Sequence, residues 1–81
     1  MMDGLRVVVA PATGRVRLLP PRDFAHGREL LDLGQAVAVI DGGGGKTTVT
    51  VPVAGLLDGL LVHEGEPVQA GQPLFVVRMA S

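Results

Sequence analysis

The sequence predicts an all-β domain assembled from two similar halves, and three observations lead there. Apolar residues fill 47% of the 81 positions, while 12 glycines and 6 prolines interrupt them. That mixture is not disorder, which needs low hydrophobicity or high net charge; it suits short strands joined by many turns. The apolar segments are themselves short and rich in valine and leucine. Finally, the chain resembles itself. VAPATGRV (9–16) lies over TVPVAGLL (50–57), with Pro11 on Pro52 and Gly14 on Gly55, an offset of 41. LLDLGQAVAVI (30–40) lies over PVQAGQPLFVV (67–77), with Gly34-Gln35 on Gly71-Gln72, an offset of 37. The four-residue difference falls in the loop PPRDFAHG. Two halves of four short strands each are expected to pack face to face with quasi-twofold symmetry, since neither half buries its apolar face alone.

Taken in order, residues 5–10 read as a strand bounded by Pro11. Residues 14–19 alternate, with Val16 and Leu18 on one face and Arg15 and Arg17 on the other, a half-buried strand. Pro20-Pro21 ends it, because proline supplies no ladder donor. Residues 20–28 form a polar loop or protruding element, and 28–33 admit one helical turn. Residues 36–40 are a compact apolar strand, and 46–51 are β-branched throughout their interior. Strands over 55–62 and 73–78 complete the set. Val49 and Val51 share one face, and Ala38 and Ala36 are expected opposite them.

Composition also removes function classes. With no cysteine, neither a disulfide framework nor a thiolate metal site supplements the core, and two histidines alone make a zinc site improbable. A net charge of −1 argues against a nucleic-acid or anionic-membrane binder. Phe24 and Phe75 are the only aromatics, too few for a base-stacking platform. No apolar run approaches ~18 residues, and no basic segment precedes an apolar one at the N-terminus. A small cytoplasmic domain is the expectation.

The halves join at Ile40-Asp41-Gly42-Gly43-Gly44-Gly45-Lys46-Thr47. Strand-like flanks make this a hairpin. A two-residue primed turn needs φ > 0 at both central positions, which Gly43-Gly44 supply without strain. Counting outward pairs Gly42 with Gly45, Asp41 with Lys46, Ile40 with Thr47 and Val39 with Thr48. The tip is expected on the twofold axis of the repeat, projecting from the core. GGGGKTT imitates a phosphate loop, but that pattern needs glycine at position 40, which is Ile40, and a following helix, where TTVTVP is strand-like.

Together, VAPATGRV, PVAGLL and VHEGEPVQAGQPLFVV (62–77) resemble the biotinyl/lipoyl-attachment domain family, most closely the biotin carboxyl carriers. The resemblance implies a flattened barrel of two four-stranded antiparallel sheets spanning residues 1–81 as a single domain. Its thumb-like loop is 20–28 and its hairpin tip is 42–45. It further implies a carrier-like subunit of a biotin-dependent acyl-CoA carboxylase, such as the acetyl-CoA carboxylase of fatty acid biosynthesis, or of a related multienzyme system. Carboxylase or ligase components would be its protein partners and biotin its prosthetic group. The other reading is a non-carrier module that reuses the barrel to bind a protein or small ligand.

The departure lies at the attachment position. Biotinyl domains carry A/S-M-K-M at the hairpin and lipoyl domains D-K-A/V, with the lysine ten residues after one turn glycine and eleven before the next. Gly34 to Gly55 keeps that 21-residue span without a gap, and the lysine position holds Gly44, preceded by Gly43. Lys46, the only lysine, lies two residues further on. It is either a displaced attachment site or the ion-pair partner of Asp41. The extra glycines either admit a close-approaching partner or are a relaxed remnant of a lost motif. His63 reads as a solvated turn residue. Arg22, His26 and Arg28 cluster in the thumb-like loop, either simply solvated or in contact with an anionic substrate or partner, and Phe24 is expected to anchor that loop on the barrel. No nucleophile-base grouping or carboxylate pair is present, so no catalysis of its own is expected.

Overall fold

The computed structural model describes residues 4–19 and 30–79. The loop 20–28, with Arg22, Phe24, His26 and Arg28, lies outside the described residues. Among the described residues eight strands form: β1 Leu5–Val9, β2 Gly14–Leu18, β3 Leu30–Leu31, β4 Ala36–Gly42, β5 Gly45–Thr50, β6 Gly55–Leu60, β7 Pro67–Val68 and β8 Pro73–Met79. They make two four-stranded antiparallel sheets, ordered β1-β8-β6-β3 and β5-β4-β2-β7. The fold is the expected all-β sandwich. Where a helical turn was admissible at 28–33, the described part is strand β3 followed by a turn. No helix among the described residues is long and apolar enough to cross a membrane.

The repeat maps one sheet onto the other. Adding 37 to the bounds of β3 and β4 gives those of β7 and β8, and adding 41 to those of β1 and β2 falls within a residue or two of β5 and β6. The order β1-β8-β6-β3 thereby becomes β5-β4-β2-β7. Each sheet draws two strands from each half, so neither half forms a sheet alone. The hairpin tip is not on the twofold axis, because the operation carries β4-β5 onto β8-β1. Gly42 and Gly45 map onto Met79 and Gly4, where Met79 N–H donates to the Gly4 carbonyl at 2.6 Å.

Among the described residues, fifteen apolar side chains, including Val16, Leu31, Ile40, Val51, Leu74 and Val77, make a single core between the sheets. Val16 is fully buried while Arg15 and Arg17 are exposed, as alternation requires. Val49 and Val51 are buried and Thr48 and Thr50 exposed. Ala38 faces Val49 as expected, but Ala36 faces Thr50, not Val51. The register shifts because Val37 is an extra, buried residue in a β-bulge. Leu74, its repeat mate, does the same between β1 and β8.

Turns of one chemistry clasp the halves. Gly34 and Gly71 take φ of +81° and +89°. The next residue reaches back: Asp32 N–H donates to Gln35 Oε1 at 2.8 Å, and Gln69 N–H to Gln72 Oε1 at 3.1 Å. Each turn then bonds the other half twice. Gly34 N–H donates to Val51 and Val51 N–H to Gln35, while Gly71 N–H donates to Ala10 and Ala10 N–H to Gln72. A third turn, His63-Glu64-Gly65-Glu66, repeats the chemistry, with His63 N–H donating to Glu66 Oε1 at 2.9 Å.

The aligned glycines Gly14 and Gly55 are positions of close approach. A Cβ on Gly14 would sit 2.6 Å from the Asp41 carbonyl oxygen, and one on Gly55 would strike that of Arg78, the repeat mate of Asp41. Gly14→Ala should therefore destabilise by roughly 1–3 kcal/mol, whereas Gly59→Ala, facing open space, should change stability little. Urea unfolding of both variants checks this. By the same method, Val49→Asp should lose several kcal/mol, enough to unfold a domain worth only ~5–15 kcal/mol, and Thr48→Asp should be tolerated. Equal sensitivity at 48 and 49 would contradict the burial of Val49 alone.

Candidate functional site

The site is built on the β4-β5 hairpin, the longest cross-strand ladder between the halves. Pairs Gly42–Gly45, Asp41–Lys46, Ile40–Thr47 and Val39–Thr48 form as the sequence count predicts. Gly43 and Gly44 are the two central residues of the turn and are exposed. The expected primed turn is not made. Positive φ falls on Gly45 alone within the tip, at +130°, and on neither Gly43 nor Gly44. The backbone thus demands glycine one residue after the apex. A Cβ at 43 or 44 would meet nothing within 4 Å.

Lys46 stands on β5, exposed, directly across from Asp41. Asp41 is also in register with Arg15 on its other side, giving a lateral row Arg15–Asp41–Lys46 across the outer face of this sheet. The expected Asp41–Lys46 ion pair is not formed; among the described residues the close contacts of this kind are Arg78–Asp58 at 3.3 Å and His63–Glu66 at 3.5 Å. Exposed pairs gain only ~0–1 kcal/mol and must order two side chains, which explains why adjacency alone does not bring this one together. Arg15 Nη1 instead donates to the Gly65 carbonyl at 3.1 Å. Lys46 borders a surface depression of about 290 Å³ shared with Arg17, Val39 and Glu64. Glu64 Oε1 accepts from Leu18 N–H at 2.6 Å, fixing that wall.

On the other flank, the tip closes an open groove of about 610 Å³ lined by Thr13, Gly14, Asp41, Gly43, Gln69 and Gln72, among others. Thr13 Oγ1 accepts from Ala70 N–H at 3.1 Å and holds the far wall. Gly43 therefore borders this groove while Lys46 borders the depression. His63 lies in its turn with its side chain 97% exposed, its Nδ1 3.5 Å from Glu66 Oε1. Among the described residues, no three His, Cys, Asp or Glu side chains are grouped to hold a metal ion. Counting from the sequence identified Gly43, Gly44 and Lys46 but missed Gly45, since four consecutive glycines do not reveal which one takes positive φ.

No protein-family profile matches the chain, and no curated protein sequence matches it. Among solved structures, a single-chain, multi-domain long-chain acyl-CoA carboxylase superimposes with a TM-score of 0.80 at 21% identity. The match covers 99% of this chain and 8% of the carboxylase chain. The shared property is the fold, and this chain spans less than a tenth of the length of that protein.

Because apex positions carry no backbone demand for glycine, Gly44→Ala should stabilise the domain by about 0.4–1 kcal/mol through the unfolded chain, and Gly45→Ala should destabilise it by at least that much. Thermal unfolding of the two variants separates them. A common direction of change would contradict the turn geometry.

Proposed function

We propose that this chain is a carrier-like domain acting in the cytoplasm with a biotin-dependent acyl-CoA carboxylase or related multienzyme system. It acts through protein partners rather than by catalysis of its own, and its attachment hairpin has lost the apex amine. The likeness of the whole barrel to part of a multi-domain acyl-CoA carboxylase supports the carrier half of the reading. The single observation that carries the second half is the register of the tip: Gly43 and Gly44 occupy the two central turn positions, where the resembled family places Met-Lys.

Biotin or lipoate would be held through an amide to a lysine side chain at the apex, and Gly43-Gly44 offer no side chain to form it. The apex residues do not fit the group. Lys46 is a primary amine, but it stands two residues along the strand, roughly 6–7 Å away at a rise near 3.3 Å per residue. Attachment enzymes must bring the amine to a reacting acyl group, and an error of even ~1 Å can cost about a hundredfold in rate. Lys46 is therefore the weaker candidate for modification.

The test uses biotin ligase, ATP and biotin on the natural protein and on the double variant Gly43→Met, Gly44→Lys, read by intact mass. The double variant should acquire one biotin, because the apex accepts side chains without strain, while the natural protein should remain unmodified over the same period. A stoichiometric adduct on Lys46 of the natural protein would make it a working carrier with a displaced attachment site. No adduct on the double variant would show that the ligase-recognition surface is absent, favouring a non-carrier module on the same barrel.

A further inference from the structure

We propose that the outer edge of β1 pairs with the same edge of a second copy of this chain, making a weak twofold dimer with one continuous eight-stranded sheet. The proposal stands whether or not the carrier reading holds. It begins with the four open sheet edges, β1 and β3 in one sheet and β5 and β7 in the other. Unpaired edges invite strand addition, and proteins blunt them with short strands, proline and lysine. Edges β3 and β7 are two residues long, and β7 starts at Pro67. Edge β5 carries Lys46, Thr48 and Thr50 on its outward row. Among the described edges, β1 alone is longer than two residues with neither proline nor lysine: five residues, LRVVV, in which Arg6 is the one charge.

The repeat makes the contrast sharper. Leu5, Val7 and Val9 of β1 are the mates of Lys46, Thr48 and Thr50 of β5 at an offset of 41. One fold position is thus polar on one edge and apolar on the other. Leu5, Val7 and Val9 are 49%, 49% and 45% exposed. Their backbone faces the same way. Ala10 spends both its N–H and its C=O on Gln72 and Gly71, on the β8 side. Alternation then points Val8 and Arg6 toward β8 and leaves the N–H and C=O groups of Val9, Val7 and Leu5 on the open edge. No described strand pairs with them.

The occupant follows from self-complementarity. Antiparallel pairing about a twofold axis through Val7 sets Val7 against itself, Leu5 against Val9 and Arg6 against Val8. No like charges stand directly opposite, and the three apolar residues of each copy form one outward row. Each of the three facing pairs exchanges two ladder bonds, about six in all. Pro11, without an N–H, ends the ladder. Pairing with a partner's β5 would instead set this apolar row against Lys46 and two threonines. A five-residue ladder is smaller than the ~1,200–2,000 Å² of stable interfaces, so the dimer belongs to the weak, concentration-dependent class.

Sedimentation velocity from about 20 μM to 1 mM should show a monomer converting reversibly toward dimer. Val7→Lys, which sets two charges together on the axis, should abolish the dimer, whereas Leu30→Lys on β3, the far edge of the same sheet, should leave it; circular dichroism checks that both variants keep the fold. The chain has no cysteine, so single cysteines report register directly. Paired Cα atoms ~5.5 Å apart suit a disulfide, so Val7→Cys should cross-link to itself on mild oxidation. Leu5→Cys should not, because its own copy lies about four residues, ~13 Å, along the ladder. A protein monomeric at 1 mM, equal cross-linking at 5 and 7, or loss of the dimer in Leu30→Lys but not Val7→Lys would each overturn the proposal.

Discussion

The structure depends on a reciprocal clasp in which each half satisfies backbone groups buried by the other. Val51 and Ala10 are almost wholly buried, at 1% and 2% exposure, where their strands leave the sheets. Each spends its N–H and C=O on the turn that opens the last strand of the other half. A buried amide left without a partner costs about 1–3 kcal/mol, so four such groups unpaired would remove much of the stability of a domain this size. The turns can serve because glycine at positive φ and the returning Gln side chain hold them in shape. The bulges at Val37 and Leu74 come immediately after, and each drops its extra side chain into the core. Turn, clasp and bulge form one unit used twice.

That unit decides what could be read in advance. The duplication was legible because the clasp needs glycine and glutamine at fixed places, so Gly34-Gln35 and Gly71-Gln72 mark it in the sequence. The third turn, HEGE, uses glutamate for the same bond and sits outside the aligned blocks, so it escaped. The bulges were not legible either. An extra residue in an apolar run such as AVAVI leaves the run apolar, and period-two reading then misplaces Ala36 by one. Strands β3 and β7 have two residues each, too few to alternate. At the candidate site, counting outward from Gly43-Gly44 fixed the hairpin register, because both flanks are strands and the loop is short. The ion pair between Asp41 and Lys46 did not follow from that register, since facing Cα positions do not decide where two exposed, flexible side chains rest.

The tip separates two demands that its four glycines confuse. Gly42 and Gly14 pack backbone on backbone, and a Cβ on Gly42 would strike the Thr13 carbonyl. Gly45 needs its conformation. Gly43 and Gly44 answer to neither demand, so glycine there is not explained by the fold. A Cβ at position 44 would meet nothing within 4 Å, and the position contributes nothing to the core or the clasp. On the carrier reading proposed above, loss of an apex amine would therefore leave the remainder of the barrel intact.

A duplicated fold begins with equivalent surfaces, and its differences show where the halves have taken separate roles. Inward positions remain alike, as β4 and β8 bury the same members of their seven-residue strands after the first. Outward positions do not. Leu56 stands where the other sheet has Arg15, Asp58 where it has Arg17, and Leu5, Val7 and Val9 where it has Lys46, Thr48 and Thr50. The sheet that carries the hairpin is charged outside; the one that carries the Gly4–Met79 pair is apolar along its β1 edge. Core packing cannot favour that division, because neither row touches the core. Solubility alone would favour polar residues on both edges. An apolar edge opposite a polar one of the same geometry therefore points to contact. Antiparallel pairing along that edge would turn the two hairpins toward opposite ends of the assembly, leaving each tip open to a partner.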